Sequence, residues 1–377
     1  MTRLGGRLPF GEAQEEMALM WNVQVSKSSV RQITLRNGGI ADELIQEEVV
    51  RLEKEAPEST AQPRQLVMSA DGALVRLING EWREVKTVAF GEFESQWDAT
   101  QNQVTTKTGN LSYFSRVESS DTFAQSALYE WHRRGGDHAQ RVVAVNDGAL
   151  WIQSFIDYHC PQAIRVIDFA HAKAYLATIG RAIHGAETPP FKQWYARMCK
   201  QLGQKPPQCT LTELRFLQSQ HQEHPEIADI EQAIRYLEKR QEMIDYPHFR
   251  KVQVPIGSGI VESGHKVVMQ RRMKQAGMRW AEENINPILA LRMSICNHTW
   301  HENWQAVQLR AQQKKRKQRL KRTQTPDKQE QSVLVTEMDC QRLEKLAKRV
   351  KARTKSRRGW QDHKWIFPYR ESLIHKN

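Results

Sequence analysis

Arg141-Val142-Val143-Ala144-Val145-Asn146-Asp147-Gly148-Ala149 and, shortly after it, Ile164-Arg165-Val166-Ile167-Asp168 are the stretches that decide the fold. Each is a short apolar run that closes on an aspartate. Runs of this length, bounded by turn residues, read as buried strands. Leu150 to Tyr158 between them has helical spacing, and so does Ala170 to Ile179 beyond them. Asp121 to Arg134 ahead of them predicts another helix, with Asp121 as its N-cap. Strand, helix, strand is the parallel βαβ unit.

Working outward toward the N-terminus, residues 64–120 are strand-like. Leu66-Val67-Met68-Ser69-Ala70 leads into Asp71-Gly72, which predicts a strand ending at Asp71. Leu74 to Ile78 reads as a strand, and Asn79-Gly80 is a preferred two-residue hairpin turn, so three antiparallel strands in a row are expected. Trp82 to Phe93 alternates apolar with polar, and Leu111 to Val117 is a further strand. A meander followed by α/β units predicts an α/β fold: an RNase H-like mixed sheet flanked by helices.

Residues 184–250 are polar and lack strand alternation. Helices are expected over Thr210 to Gln222 and His224 to Ile244. This block reads as a helical insertion between a first part of the core, 64–183, and a last part, 251–300. Val261 to Lys274 resumes as a helix. Trp194 and Tyr195 in the insertion read as core packing in preference to a platform for an unpaired base.

Residues 1–60 predict an N-terminal helical module. Gly11 to Val23 carries an apolar stripe, and a short turn follows. Ser26 is placed to cap a helix from Lys27 to Asn37, which should stop at Gly38-Gly39. A third helix is expected over Ile40 to Ala56. Two helices joined by a short turn, with Ser26, Lys27 and Arg31 opening the second, suit a helix-turn-helix that binds DNA. Any small helical pair looks similar.

The C-terminal region, 301–377, is basic. Lys314-Lys315-Arg316-Lys317 opens a dense basic run expected to contact DNA backbone in place of folding. Thr323 to Gln331 is polar, Met338 to Ala352 predicts a helix, and aromatic residues follow from Trp360. The whole chain carries 56 Lys and Arg against 43 Asp and Glu, a net charge of +13. A balance this basic favours a polyanionic partner through counterion release. No apolar run reaches the roughly 20 residues that span a bilayer, and no signal-peptide core opens the chain, so a cytoplasmic location is expected. Five cysteines without Cys-x-x-Cys spacing argue against a disulfide framework or a Cys-paired zinc site.

Three acids stand out: Asp71, Asp147 and Glu262. Glu262 lies in Pro255-Ile256-Gly257-Ser258-Gly259-Ile260-Val261-Glu262-Ser263-Gly264-His265. Two strand-end aspartates and a helical glutamate can hold two Mg²⁺ ions, with Mn²⁺ able to substitute, and such a pair suits phosphodiester chemistry. The glycines beside them, Gly72, Gly148, Gly259 and Gly264, would permit close backbone approach. Taken singly, Asp-Gly after a strand is also a common turn, and a glutamate near a helix start also serves the helix dipole. Arg271, Arg272, Lys274 and Arg279 follow Glu262 and are candidates for backbone contact.

The Glu262 segment, running on through Arg272-Met273-Lys274 to Gly277-Met278-Arg279-Trp280, resembles bacterial insertion-sequence transposases of the Kra-type family. So does Asn146-Asp147-Gly148-Ala149 with Ile167-Asp168-Phe169-Ala170-His171-Ala172. The resemblance covers roughly residues 8–370 and implies a DDE transposase, with Asp71, Asp147 and Glu262 as its metal-binding triad. It implies cleavage of double-stranded DNA at element ends, strand transfer into target DNA, and a homodimer or larger synaptic complex. Asp168-Phe169-Ala170-His171 is similar to the Asp/Cys-x-x-His signature of Mutator-like relatives, which makes Asp168 and His171 auxiliary residues; His265, one turn past Glu262, is a third. Members of that family commonly carry more sequence ahead of the helix-turn-helix, so a shortened module is expected. A structure-specific nuclease without strand transfer, or an inactive DNA-binding regulator, are the alternatives.

Overall fold

In the computed structural model, which describes residues 1–99, 103–323 and Lys345, the N-terminal helices come first in chain order. They are α1 (Thr2–Arg7), α2 (Phe10–Trp21) and α3 (Lys27–Glu55). Ser26 caps α3 as expected, its Oγ accepting from the Ser29 amide at 3.1 Å. The expected stop at Gly38-Gly39 does not occur, and α3 runs on for 29 residues. The reason is packing: a Cβ on Gly38 would come within 2.5 Å of the Pro287 carbonyl oxygen. Gly38 therefore lets a neighbouring chain segment approach the helix.

The sheet strands are β1 (Gln65–Arg76), β2 (Trp82–Asp98) and β3 (Gln103–Arg116), then β4 (Arg141–Asn146) and β5 (Ile164–Ile167). Their spatial order is β3-β2-β1-β4-β5. The first three form an antiparallel meander, and β4 pairs parallel to both β1 and β5. With helices on both faces, this is the RNase H-like mixed sheet. Between β3 and β4 lie α4 (Ser120–Ser126) and α5 (Leu128–Arg133), with Ser119, not Asp121, as the N-cap of α4. α6 (Leu150–His159) joins β4 to β5.

β1 differs from expectation in one important respect. It does not end at Asp71, because β2 is long enough to pair it without a break from Leu66 with Glu92 to Arg76 with Trp82. Asp71 is thus a mid-strand residue opposite Thr87. Gly72 leaves the room that the Glu84 side chain occupies. β2 and β3 also run beyond the apolar alternation, through polar stretches such as Glu94-Ser95-Gln96 against Thr105-Thr106-Lys107. Hairpin pairing sustains them there, with an outside tie where Ser95 Oγ donates to Gln253 Oε1 at 2.8 Å.

After β5 come α7 (Phe169–His184), α8 (Pro189–Gln204), α9 (Pro207–Gln220), α10 (Ile227–Glu238) and α11 (Tyr246–Lys251). Trp194 is buried against Gly180 and His184, so it packs the core as expected. Val143, Val145, Val166 and Ile167 of the sheet share one core with Leu176, Met198, Leu214, Ile234 and Tyr246 of these helices. The expected helix over Val261 to Lys274 is in three pieces. They are α12 (Gly259–Gly264), a π-helical segment His265–Gln270, and α13 (Arg271–Met273). A π segment displaces backbone carbonyls from α-helical partners. Here the buried Arg292 guanidinium donates to the Val267 and Val268 carbonyls.

α14 (Ile285–Cys296) lies along the C-terminal end of the outer edge of β3 and covers it there. Asn297, just past the helix, exchanges two bonds with the Tyr113 backbone. Asn286 does the same with Val117, and the Ser115 amide donates to Met293 Sδ. An open strand edge invites pairing with another chain; these side chains occupy it. α15 (Trp300–Thr323) follows, and its Arg310 pairs with Glu47 of α3 at 2.6 Å. Met1–Lys314 forms one compact unit. The basic run is helical through Thr323, a correction to the unfolded reading. Apart from Lys345, the expected helix over Met338 to Ala352 lies outside the described residues, as do the aromatic C-terminus and Cys340. No helix among the described residues is long and apolar enough to cross a membrane.

Candidate active site

The register of the parallel pair sets the level of the two aspartates. β1 and β4 pair with a constant offset of 76 residues, from Gln65 with Arg141 to Met68 with Ala144, and the same offset relates Asp71 to Asp147. Ser69 Oγ donates to the Val145 carbonyl at 2.6 Å just past the last ladder pair. The two acids thus occupy matching register positions, Asp71 within β1 and Asp147 one residue past the end of β4, three residues beyond the last ladder pair. Asp71 Oδ1 accepts from the Gly72 amide at 2.7 Å. Asp147 Oδ1 accepts from the Ala149 amide at 2.9 Å, closing the turn into α6.

α12 packs on the sheet face that carries Asp71. A Cβ on Gly264 would meet the Tyr113 ring at 2.8 Å and Thr87 Cγ2 at 3.4 Å, and Thr87 is the cross-strand partner of Asp71. Directly opposed residues in an antiparallel pair share a face. His265 is buried here, with Nδ1 3.7 Å from Asp71 Oδ2. Burial pushes its imidazole pKa below the ordinary value, against a hydrogen bond with the Asp71 backbone. A neutral imidazole is therefore favoured beside Asp71. Glu262 lies one turn earlier on α12 and is exposed.

Asp168 and His171 come from the β5–α7 junction. Asp168 Oδ1 caps α7 by accepting from the His171 amide at 2.8 Å, and Oδ2 accepts from the Ser258 amide at 2.6 Å. The second bond ties the start of α12 to the end of β5. The Phe169 amide adds a parallel tie to the Ile256 carbonyl at 2.9 Å. Burial lowers the His171 pKa, opposed by the carboxylates of Asp147 and Asp168. Among the described residues, Nε2 of His171 and Nε2 of His265 are buried without a hydrogen-bond partner.

Among the described residues no three His, Cys, Asp or Glu side chains are gathered closely enough to hold a metal ion. The donor chemistry suits a hard cation, since carboxylate oxygens are what Mg²⁺ prefers. The scaffold gives Asp71 and Asp147 matching register positions and packs the Glu262 helix on the Asp71 face, but it does not draw the three carboxylates to one point.

The basic candidates divide. Lys27, Arg31, Arg271, Lys274, Arg279, Lys315, Arg316 and Lys317 are exposed. Ser26 spends its hydroxyl on the α3 cap. Lys314 is paired with Glu43 of α3. Arg272 is no surface residue: only 1% exposed, it lies between the Phe10 and Trp280 rings and donates to the Gly5 carbonyl. Its role as a DNA contact is corrected accordingly. Burial has lowered its pKa to about 10.

Two residues at the site escaped the sequence reading. Tyr236 and Arg240, on and just after the insertion helix α10, reach the Asp147-Gly148 turn. No short-range spacing signals this, because they lie about ninety residues from the turn.

No curated protein matches the chain. The fold is consistent with the RNase H-like nuclease and integrase superfamily. Over residues 10–313 the sequence matches the model of UPF0236, described as an uncharacterised protein family, and the chain belongs to that family.

Proposed function

We propose that this protein is a DDE transposase that cleaves DNA at the ends of an insertion sequence and joins them to target DNA. The observation that supports the reading is the matching register of Asp71 in β1 and Asp147 just past β4, with the Glu262 helix packed over the Asp71 face. In this reading Asp71, Asp147 and Glu262 hold two Mg²⁺ ions, or Mn²⁺ in their place, which would supply charge neutralisation at phosphate oxygens and activation of water. The chain's own residues supply position. The β1–β2 ladder fixes Asp71, the closed turn fixes Asp147, and Asp168 fixes the start of α12. Arg271, Lys274 and Arg279 supply cations for the DNA backbone, and Lys27 and Arg31 suit the first turns of a recognition helix. The net charge of +13 supports a nucleic-acid partner. Joining two ends calls for a dimer or larger assembly. The five-part division of the chain given above belongs to the same proposal.

A second reading is a DNA-binding regulator without catalysis. It is favoured by the absence, among the described residues, of three acids gathered for a metal. The test uses the full chain, duplexes carrying the DNA that flanks its reading frame, and Mg²⁺ or Mn²⁺. Metal-dependent nicking that disappears in Asp147→Ala and Glu262→Gln supports the site. Nicking that survives both substitutions rejects it, and no nicking with retained binding selects the regulator. Pre-cut ends with a free 3′-hydroxyl separate a transposase from a nuclease, because only the former joins them to target.

A further inference from the structure

We infer that Tyr236 and Arg240 are positioning residues for Asp147, so that the helical insertion sets the geometry of the site. This rests on the reading of Asp147 given above. Asp147 leaves β4 in a turn whose inner bonds are local: the Gly148 amide donates to Asn146 Oδ1 at 2.7 Å, and Ala149 to Asp147 Oδ1. The outward carbonyls are held from the insertion. Tyr236 Oη donates to the Asp147 carbonyl, and Arg240 Nη2 donates to the Gly148 carbonyl at 2.7 Å. Two consecutive carbonyls fixed in this way define the peptide planes on both sides of Gly148. Asp147 projects from the first of them.

The contact is tight enough to dictate sequence. Gly148 has φ +76°, and a Cβ there would lie 2.5 Å from Arg240 Nε and 2.6 Å from Tyr236 Oη. Left-handed backbone and close approach both require glycine. The two insertion residues also brace each other. The Arg240 guanidinium lies over the Tyr236 ring at 3.9 Å, and that ring stacks on Tyr175 of α7, also at 3.9 Å.

The test compares the full-length wild-type chain with Tyr236→Phe, Arg240→Ala and Arg215→Ala. Tyr236→Phe removes one oxygen and keeps the ring stack. Arg215→Ala breaks the exposed pair with Glu238 elsewhere on α9 and α10 and is the control. Exchange of the Gly148 and Ala149 amides, read by NMR or mass spectrometry, should quicken roughly tenfold in the first two variants and stay unchanged in the third. Mn²⁺ affinity, read by electron paramagnetic resonance, should weaken about tenfold in the first two, the usual loss when an outer partner of a ligand is removed. Nicking should lose kcat with little change in KM for DNA. Unchanged exchange in both variants overturns the inference, as does faster exchange with unaltered Mn²⁺ affinity. If the wild-type chain neither takes up Mn²⁺ nor nicks DNA, the functional reading fails by itself, and the exchange rates still decide whether the insertion sets the turn.

Discussion

Asp168 can be tested with two substitutions that separate its two bonds. The carboxylate is nearly buried, with one oxygen on the His171 amide and the other on the Ser258 amide. Asp168→Ala removes both. Loss of the N-cap costs about 1 kcal/mol, and loss of a charge-assisted bond to Ser258 costs about 2 kcal/mol, so the sum is about 3 kcal/mol. Asp168→Asn keeps an oxygen for the cap but turns an amide NH₂ toward the Ser258 N–H, donor against donor. Only the second loss then applies, about 2 kcal/mol. Urea denaturation of the full chain gives both values, and exchange at the Ser258 amide reports the tie to α12 directly. The expected order is wild type, Asn, Ala, with Ser258 exchange quickened in both variants. If Asn matched wild type in stability and in Ser258 exchange, Asp168 would be no more than a cap, and its hold on the Glu262 helix would be refuted.

Gly38→Ala should destabilise by about 2 kcal/mol through overpacking against the Pro287 carbonyl, while Gly39→Ala, with open space around it, should stabilise by up to about 1 kcal/mol; thermal melts of the two variants check both signs. His159 is buried among Trp131, Phe155 and Tyr158, and burial lowers its pKa to about 3. The unfolded chain therefore binds the proton first. Stability is full above about pH 6.5 and declines as pH falls toward 3, by about 2 kcal/mol at pH 5 for this one group. His159→Phe should flatten that part of the slope in urea titrations at pH 7 and pH 5. If Lys27 and Arg31 each contact a phosphate, as proposed, Lys27→Ala with Arg31→Ala should lower the salt slope of DNA binding by roughly 2; an unchanged slope in fluorescence anisotropy would exclude that face from the interface.

The strand order was legible because each buried strand is written as an apolar run, and the insertion because its spacing turns helical and polar. Features set by distant partners were not. Arg272 sits in a basic, surface-like stretch, yet the Phe10 and Trp280 rings enclose it. Asn286, Met293 and Asn297 look unremarkable in sequence and cover the C-terminal end of the outer edge of β3. Asp71-Gly72 has the composition of a turn, but a long β2 holds it in the ladder.

The glycines beside the acids serve other neighbours than the sequence suggests. Sequence alone assigns them to close backbone approach. In the structure Gly72 yields to Glu84, Gly148 to Tyr236 and Arg240, and Gly264 to Tyr113 and Thr87, while Gly259 meets nothing within 4 Å. Where a glycine is needed, it admits a side chain that fixes the segment bearing the acid. On the proposed reading, the site depends on its supports as much as on its carboxylates: substitution at Gly148, Tyr236 or Asp168 should disturb it while all three acids remain in place.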